Sequence, residues 1–281
     1  MSSLHAALEF KIVDETNEYL VVDKPPFLLM HPTKPDGRPT LWKELRHLLA
    51  FEIANGGQVS IVNRLDRETS GLVLIAKTSA AARRFGLLMQ EQRFQKEYLT
   101  IVWGWPAWET KIVDAPLDRQ GKHRESAIWL KQMIHPTGAP ARTDFFVERR
   151  FTRSTRPAQH HSPYPLPSKE QDQGEGAAQV WTRNSNGEDE KFALIRAVPR
   201  TGRTHQIRVH LASTGHPVVG DKIYGPDEKL YLQFIKAGWT AQLAGQLLLP
   251  RHALHSTKLA IEGEVEWESR LPADLAEFIG V

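Results

Sequence analysis

The chain has 281 residues, of which 41% are hydrophobic and 25% are charged, and its formal net charge is +3 at pH 7. This composition is typical of a globular protein, and the small positive charge is compatible with a nucleic-acid partner without requiring one. The absence of cysteine excludes disulfides, thiol nucleophiles and cysteine-ligated zinc. Neither a signal peptide nor an apolar run near the roughly 20 residues of a membrane span is found, so a cytoplasmic location without membrane attachment is expected.

The first elements in the chain are predicted to be a hairpin and a helix. Two short apolar runs at residues 10–13 and 19–23, separated by a polar turn, favour the hairpin. Lys24 follows the second run, and the prolines after it cannot continue a central strand. Thr40 is suited to cap a helix whose leucines have helical spacing, and residues 55–57, Asn-Gly-Gly, stop the pattern.

The most informative stretch is residues 61–78, IVNRLDRETSGLVLIAKT. Asp66 lies between Arg64 and Arg67 in the sequence. A positive charge within about 4–6 Å lowers the pKa of a carboxylate by roughly 1–3 units. Asp66 should therefore be ionised and available as a nucleophile or a base. The apolar run at 72–76 predicts a strand buried on both faces, which would hold the charged loop against the core. A solvated charged turn is the alternative interpretation of the short string alone.

The rest of the chain alternates between predicted strands, helices and one segment of unusual composition. A helix should begin at Ser79, and another should begin at or just after Arg203 and end at Gly215. Strands are predicted at 96–103, 126–131, 144–151, 192–198, 247–261 and 264–268, with a closing helix at 272–279. Residues 153–190 contain almost no aliphatic side chains, which predicts a flexible insertion within one domain.

Two segments resemble the motifs of one enzyme family. NRLDRETSGLVLIAKT resembles the catalytic segment of the RluA-type RNA pseudouridine synthases, usually written HRLDxxTSGLLLxAK. Residues 201–225, TGRTHQIRVHLASTGHPVVGDKIYG, resemble the downstream motif of the same family. The resemblance extends over residues 10–271 and is weak around 153–190. Asn63 stands where the family usually has histidine.

The resemblance implies a fold and a reaction. The fold would be α+β, a bent, mixed and mostly antiparallel sheet flanked by helices, with a central active-site cleft and a single catalytic domain over residues 1–281. The reaction would be the isomerisation of specific uridines to pseudouridine in structured RNA, most simply ribosomal RNA, with transfer RNA as the alternative. It would use base flipping and a catalytic aspartate.

The resemblance also implies the residues of the site. Asp66 would be the catalytic carboxylate, Tyr98 would stack on the extruded base, and Arg203 would form an ion pair with Asp66. RNA contacts are expected from a further set: Arg64, Arg67, Lys24 and Arg208. Covalent attack by Asp66 and abstraction of a ribose proton both remain open. No cofactor, metal or obligatory protein partner is expected, and the protein should act on RNA as a monomer.

Members of the resembled family that lack the usual extra N-terminal RNA-binding domain start just before the first hairpin, as this sequence does, so RNA recognition is expected from the catalytic domain. Two other functions are compatible with parts of the sequence. A non-catalytic RNA-binding protein would bind RNA without forming product. A metal-dependent hydrolase could use His205, His210 and His216, although the five-residue separation of the first two differs from the four-residue spacing of a helical zinc pair.

Overall fold

The structure, a computed structural model, describes residues 10–33, 37–154 and 189–281. Its strands are β1 (Lys11–Glu15), β2 (Tyr19–Lys24), β3 (Ser60–Ile61), β4 (Ser70–Ala76), β5 (Phe94–Trp103), β6 (Thr110–Asp114), β7 (Leu117–Arg119), β8 (Gln132–Ile134), β9 (Arg142–Arg153), β10 (Glu190–Pro199), β11 (Leu254–Ile261) and β12 (Val265–Glu268). Its helices are α1 (Leu41–Leu48), α2 (Ala50–Ala54), α3 (Ser79–Gln90), α4 (Gln206–Ser213), α5 (Lys229–Ala237), α6 (Ala241–Leu247) and α7 (Ala273–Ile279). The predicted insertion at 153–190 lies, apart from its two ends, outside the described residues.

The chain forms two compact units, and the first comprises Met1–Lys96 and Ser256–Arg270. Its strands follow the order β1-β2-β4-β11, with β3 on β4 and β12 on β11. The pairs β1–β2, β2–β4, β3–β4 and β11–β12 are antiparallel. The predicted N-terminal hairpin is therefore confirmed.

Local sequence explains why the elements of the first unit form. All seven residues of β4 are buried, because this strand is covered on both faces as its continuous apolar run predicted. Leu72 and Leu74 of β4 belong to one core cluster with Phe85 of α3. The hydroxyls of Thr40 and Thr78 accept hydrogen bonds from Lys43 N and Ala81 N, at 3.2 and 3.1 Å, and so cap α1 and α3.

The second unit comprises Glu97–His255 and Leu271–Val281. Its main sheet has the order β5-β10-β9-β6, in which the neighbouring pairs are antiparallel, and β7 and β8 form a separate two-stranded sheet. Two arginines of β9 satisfy carbonyls at the end of α7: Arg149 donates to Ile279 O at 3.1 Å and Arg153 to Phe278 O at 2.9 Å. Both units combine helices with antiparallel strands, which confirms the α+β class.

Two predicted strands are wrong in whole or in part. Residues 126–131 form a loop, and the strand β8 follows it; only Ile128 of the apolar run is buried. Leu247 ends α6 rather than beginning a strand, and β11 starts at Leu254. The helices α5 and α6 were not predicted, and they are stabilised by a cluster of their own that contains Leu230, Leu243 and Leu247. None of the helices that the structure describes is long and apolar enough to cross a membrane.

Candidate active site

Asp66 lies in a short loop that is tied to the core on both sides. Thr69 N donates to Asp66 O at 3.1 Å and closes a turn directly before β4. Leu65 and Thr69, one and three residues away, are buried, whereas Asp66 itself is partly accessible. The Asp66 side chain is therefore partly accessible, while the backbone of its loop is held by a hydrogen-bonded turn and by the buried neighbours Leu65 and Thr69.

Asn63 anchors the start of this loop. Its amide nitrogen donates to Leu72 O at 3.0 Å, and its amide oxygen accepts from Leu74 N at 2.8 Å, so one side chain bonds both a carbonyl and an N–H of β4. Asn63 is buried, and buried backbone groups such as these are destabilising when they lack a hydrogen-bond partner. This is the position at which the sequence departs from the family pattern. A carboxamide offers a donor and an acceptor side by side, which suits this double bond.

Lys24 holds the other end of the loop. Its side chain is completely buried, and its ammonium donates to Pro25 O, Leu28 O and Arg67 O at 2.8, 3.1 and 3.2 Å. Arg67 Nε in turn donates to Phe27 O at 3.4 Å. Phe27 has a φ of 69°, an uncommon conformation for a non-glycine residue. The bonds from Arg67 to Phe27 O and from Lys24 to Leu28 O help to stabilise it. The segment after β2 and the Asp66 loop are thus cross-linked by Lys24 and Arg67.

Gly71 is required by a close approach of two backbones. It has a φ of +110°, and a Cβ at this position would lie 2.2 Å from Ser256 O. Any side chain would therefore push β4 away from Ser256. Because Asp66 lies only five residues before Gly71, the position of the carboxylate depends on this glycine.

The electrostatic environment beside the loop is positive. Arg64 is exposed, and burial together with the positive charge of Arg64 lowers the pKa of His31 below its ordinary 6.5. His31 is therefore neutral at pH 7. Arg64 is thus an exposed cation beside the Asp66 loop.

Tyr98 lies on β5 of the second unit. Buried and more accessible residues alternate along the first part of this strand. Tyr98 is one of the buried residues and pairs with Ala197 of β10. The sequence prediction that this tyrosine sits in a strand is confirmed, while its contact with a flipped base stays a prediction.

Arg203 lies in the loop before α4, and Gln206 shapes that loop. The Gln206 amide oxygen accepts from Thr201 Oγ1 at 2.7 Å and from Arg203 N at 3.0 Å, while its nitrogen donates to Arg142 O and Thr143 Oγ1. The Arg203 side chain is exposed, and its Nε donates to Pro140 O at 3.0 Å. Sequence reasoning did not identify Gln206, whose role depends on partners that are distant in sequence.

Arg208 has a very different environment from Arg203. It is buried, and its Nε and Nη2 donate to Asp221 Oδ2 and Oδ1 at 2.6 and 2.8 Å, a bidentate pair. Burial by itself raises the pKa of Asp221, but the charge and hydrogen bonds of Arg208 lower it well below its usual range. The guanidinium also lies 5.1 Å from the ring centroid of Tyr224, whose hydroxyl is 2.8 Å from His205 Nδ1.

The histidines of the metal hypothesis take part in structural hydrogen bonds. His210 is fully buried between Thr143 Oγ1 and Ala115 O, both at 3.0 Å, and burial lowers its pKa. His216 Nδ1 is 2.9 Å from Trp103 O, and His205 is bonded to Tyr224. Across residues 10–33, 37–154 and 189–281, no group of three potential ligands is arranged to hold a metal ion.

The structure brings some of the predicted site residues together. Lys24, Arg67 and the Asp66 backbone form one cross-linked loop in the first unit, with Arg64 exposed on it. Tyr98, Arg203 and Arg208 belong to the second unit. The convergence of Asp66 with Tyr98 and Arg203 stays a prediction.

The fold and the loop define a family. Residues 18–213 match the family model of RNA pseudouridylate synthases, which covers more than half of the chain. The chain therefore belongs to the RNA pseudouridylate synthase family, whose members isomerise uridine in RNA, and the enzyme class implied by the resemblance is confirmed.

Individual relatives support this assignment. The chain is 30% identical to ribosomal large subunit pseudouridine synthase D of Nitrosomonas europaea and 32% identical to the protein of that name from Yersinia pestis. These alignments cover 97% and 95% of this chain but 65% and 69% of the relatives. The solved structures of human RNA pseudouridylate synthase domain containing 1 and 4 share the fold, with TM-scores of 0.59 and 0.64 and identities of 22% and 19%. They are covered to 96% and 92%, and they cover 99% and 96% of this chain.

Proposed function

We propose that this protein converts specific uridines of ribosomal RNA to pseudouridine. The observation that carries the proposal is the Asp66 loop, a partly accessible carboxylate on a backbone fixed by Asn63 and Lys24, within a family-defining segment. The curated relatives are named as synthases of the large ribosomal subunit, which favours that RNA over transfer RNA.

The reaction exchanges one bond to the ribose for another. The bond from C1′ to N1 breaks, the base rotates, C5 bonds to C1′, and the proton on C5 is replaced by one on N1. Asp66 acts on the sugar or base as nucleophile or takes a ribose proton as base. Tyr98 stacks on the extruded base, and Arg203 pairs with Asp66 and keeps it ionised.

RNA contacts are assigned according to accessibility. Arg64 is exposed and Arg67 is half-buried, so both can reach phosphates beside Asp66. The buried Lys24 and Arg208 support the site from the interior, since their charged groups already bond to backbone carbonyls and to Asp221. RNA is the only partner that the proposal requires, and we expect a monomer that acts in the cytoplasm on RNA without a cofactor.

Asp66→Asn tests the proposal, because the amide keeps the shape and removes the charge. We expect at least about a 10³-fold loss of pseudouridine formation, as for other removed nucleophiles, with RNA affinity and Tm nearly unchanged. The substrate is large-subunit ribosomal RNA from cells that lack the gene, and pseudouridine is mapped chemically. Asp189→Asn, at an exposed aspartate that is distant from Asp66 in the sequence, is the matched control and should keep full activity.

Three outcomes would count against the proposal. Turnover by Asp66→Asn within tenfold of wild type would remove Asp66 from the mechanism. Conversion of transfer RNA alone would correct the substrate. Binding of ribosomal RNA by the wild type without any product would favour the non-catalytic RNA-binding protein.

A further inference from the structure

An exposed tryptophan lies on the loop between β7 and β8. Trp129 is 71% exposed, and its neighbour Leu130 is 52% exposed, whereas Ile128 is buried and supplies the hydrophobic anchor of this loop. Tryptophan is enriched at binding interfaces, because its ring is largely apolar while its N–H seeks a hydrogen-bond partner. The apolar run that wrongly predicted a strand at 126–131 is therefore only partly explained by packing.

Arg119 of β7 covers the indole of Trp129. The guanidinium carbon is 3.7 Å from the ring centroid, a close cation–π contact. None of the described residues accepts a hydrogen bond from Arg119 Nε, so the ring itself is what positions the guanidinium. We call this pair, Arg119 and Trp129, the Trp129 platform.

The platform is held by a rigid loop. Gln120 N donates to Lys131 O at 2.8 Å, and Lys131 N donates to Ile128 O at 3.1 Å, which fixes the turn that carries Trp129. The Lys131 side chain forms an ion pair with Glu228. Gln132 N donates to the Tyr224 hydroxyl at 2.7 Å. The ring of Tyr224 also contacts Arg208, so Tyr224 connects the loop that carries the platform to Arg208. A ligand would find this surface already formed, which reduces the entropy lost on binding.

The charge around the platform suits an anion. Residues 117–135 contain four basic and two acidic residues. Asp118 is engaged by Lys122 and His123, at 2.8 and 2.9 Å. Arg124 is exposed and donates to Gln120 Oε1 at 3.0 Å. A protein-binding patch would be more extensively apolar, whereas a flat ring covered by one cation, with a second exposed cation on the same loop, fits a base and its phosphates.

Trp105 is a useful comparison, because Lys191 lies 4.8 Å from its ring. Its indole nitrogen donates to Phe151 O at 3.0 Å, and the side chain is 43% exposed. Trp105 is thus satisfied within the protein, and the same combination of ring and cation there serves packing. Trp129 has the larger exposed area and the closer cation.

We propose that the Trp129 platform binds an unpaired base of the RNA substrate outside the reaction site. The base stacks on the indole, and Arg119 and Arg124 contact the adjacent phosphates. The inference rests on the proposed function for the identity of the ligand, and it adds a second point of attachment on the β7–β8 loop. Stacking of this kind is sequence-tolerant, so the platform contributes affinity and register rather than choice of base.

Trp129→Ala tests the inference with two probes, the ribosomal RNA defined above and a single-stranded oligouridylate. We expect the Kd for ribosomal RNA to rise by about 5- to 150-fold, which corresponds to the roughly 1–3 kcal/mol of one base stacked on an aromatic ring. Trp129→Tyr should recover much of the affinity, since it retains a stacking face. Oligouridylate should quench tryptophan fluorescence in the wild type more than in Trp129→Phe.

Salt dependence separates the roles of the ring and of the cations. Arg124→Ala should reduce the slope of log Kd against log salt concentration by about 1, the value expected for one lost phosphate contact. Trp129→Ala should leave this slope unchanged. Phe51→Ala is the matched control, because Phe51 is an 80% exposed aromatic residue on α2. Its RNA affinity, activity and Tm should equal those of the wild type.

The outcomes distinguish this inference from the proposed function. If the wild type forms pseudouridine and Trp129→Ala matches its Kd and KM, the platform does not bind RNA and the proposed function stands. If the wild type forms no product but Trp129→Ala loses RNA affinity, the platform stands and the proposed function falls. If the wild type self-associates, and Trp129→Ala abolishes this without changing RNA affinity, the ring is a protein contact and the inference is wrong.

Discussion

Arg203 and Arg208 share one motif but differ in their surroundings. Arg203 is exposed and bonds to Pro140 O, whereas Arg208 is buried and forms a two-point pair with Asp221. Lysine keeps the positive charge but cannot make two parallel hydrogen bonds to a carboxylate. The Lys variants of the two arginines therefore test different properties of the protein.

We expect Arg203→Lys to leave Tm nearly unchanged, because Arg203 is exposed. It should slow the chemical step, because lysine cannot make the two parallel hydrogen bonds that we propose between Arg203 and Asp66. Arg208→Lys should lower stability by about 2 kcal/mol or more, since it disrupts a buried ion pair, and Tm by roughly 4–8 °C. Thermal unfolding, single-turnover kinetics and an RNA titration measure these effects. A wild-type rate in Arg203→Lys, with a rate loss in folded Arg208→Lys, would transfer the catalytic role to Arg208.

Lys96 and Lys77 are both buried lysines, but only Lys77 is paired. Lys77 Nζ lies 2.7 Å from Glu15 Oε1 and 3.3 Å from Glu52 Oε1. Among residues 10–33, 37–154 and 189–281, none forms a hydrogen bond or ion pair with Lys96, and burial lowers its pKa. Removing most of the water around an ammonium that has no partner opposes folding, and an anion that meets the ammonium offsets this cost.

Methionine has nearly the shape of lysine without its charge, so it tests this difference directly. Lys96→Met should raise Tm by a few degrees, which corresponds to about 1 kcal/mol in a chain of this size, and should weaken RNA binding. Lys77→Met is the matched variant, and it should lower Tm because it leaves two carboxylates without their partner. A lower Tm in Lys96→Met would show that the ammonium is satisfied in the folded protein.

At the scale of single elements, the sequence predicts those whose signals are local. Thr40 is recognisable as a cap, the start of α3 at Ser79 was predicted, and the continuous apolar run at 72–76 favours a strand covered on both faces. Residues 126–131 are different, because a short apolar run is equally compatible with a strand and with a loop anchored by Ile128 alone. The helices α5 and α6 depend on packing against each other, which periodicity in either segment does not reveal.

The strand β4 offers a sharp test of packing at Gly71. Gly71→Ala should abolish or severely reduce stability, because its methyl group would lie 2.2 Å from Ser256 O at a φ of +110°. Gly86→Ala is the matched control inside α3, where a Cβ meets nothing within 4 Å. It should stabilise the protein by about 0.5–1 kcal/mol, because alanine is the better helix former. Equal Tm values for the two variants would show that β4 can move without loss.

At the scale of the whole molecule, the sequence motif identifies Asp66 but not what holds it. The motif predicts which residues carry chemistry, because their types and spacing are tied to one reaction. The double bond of Asn63 to β4 and the three carbonyls around Lys24 depend on tertiary partners. For the same reason, the burial of Arg208 against Asp221 could not be predicted from the sequence.

The segment between β9 and β10 gives a test of the whole chain. These strands pair antiparallel with Arg153 opposite Glu190, so residues 154–189 connect two ends that already lie side by side. Replacing them by a four-residue turn shortens the connection by about three doublings, which should stabilise the protein by roughly 2 kcal/mol through loop closure. We therefore expect an unchanged or higher Tm and a nearly wild-type single-turnover rate. A Tm lower by about 10 °C or more would show that the segment contributes to the folded core, and a raised Kd for ribosomal RNA at unchanged Tm would show that it contacts RNA.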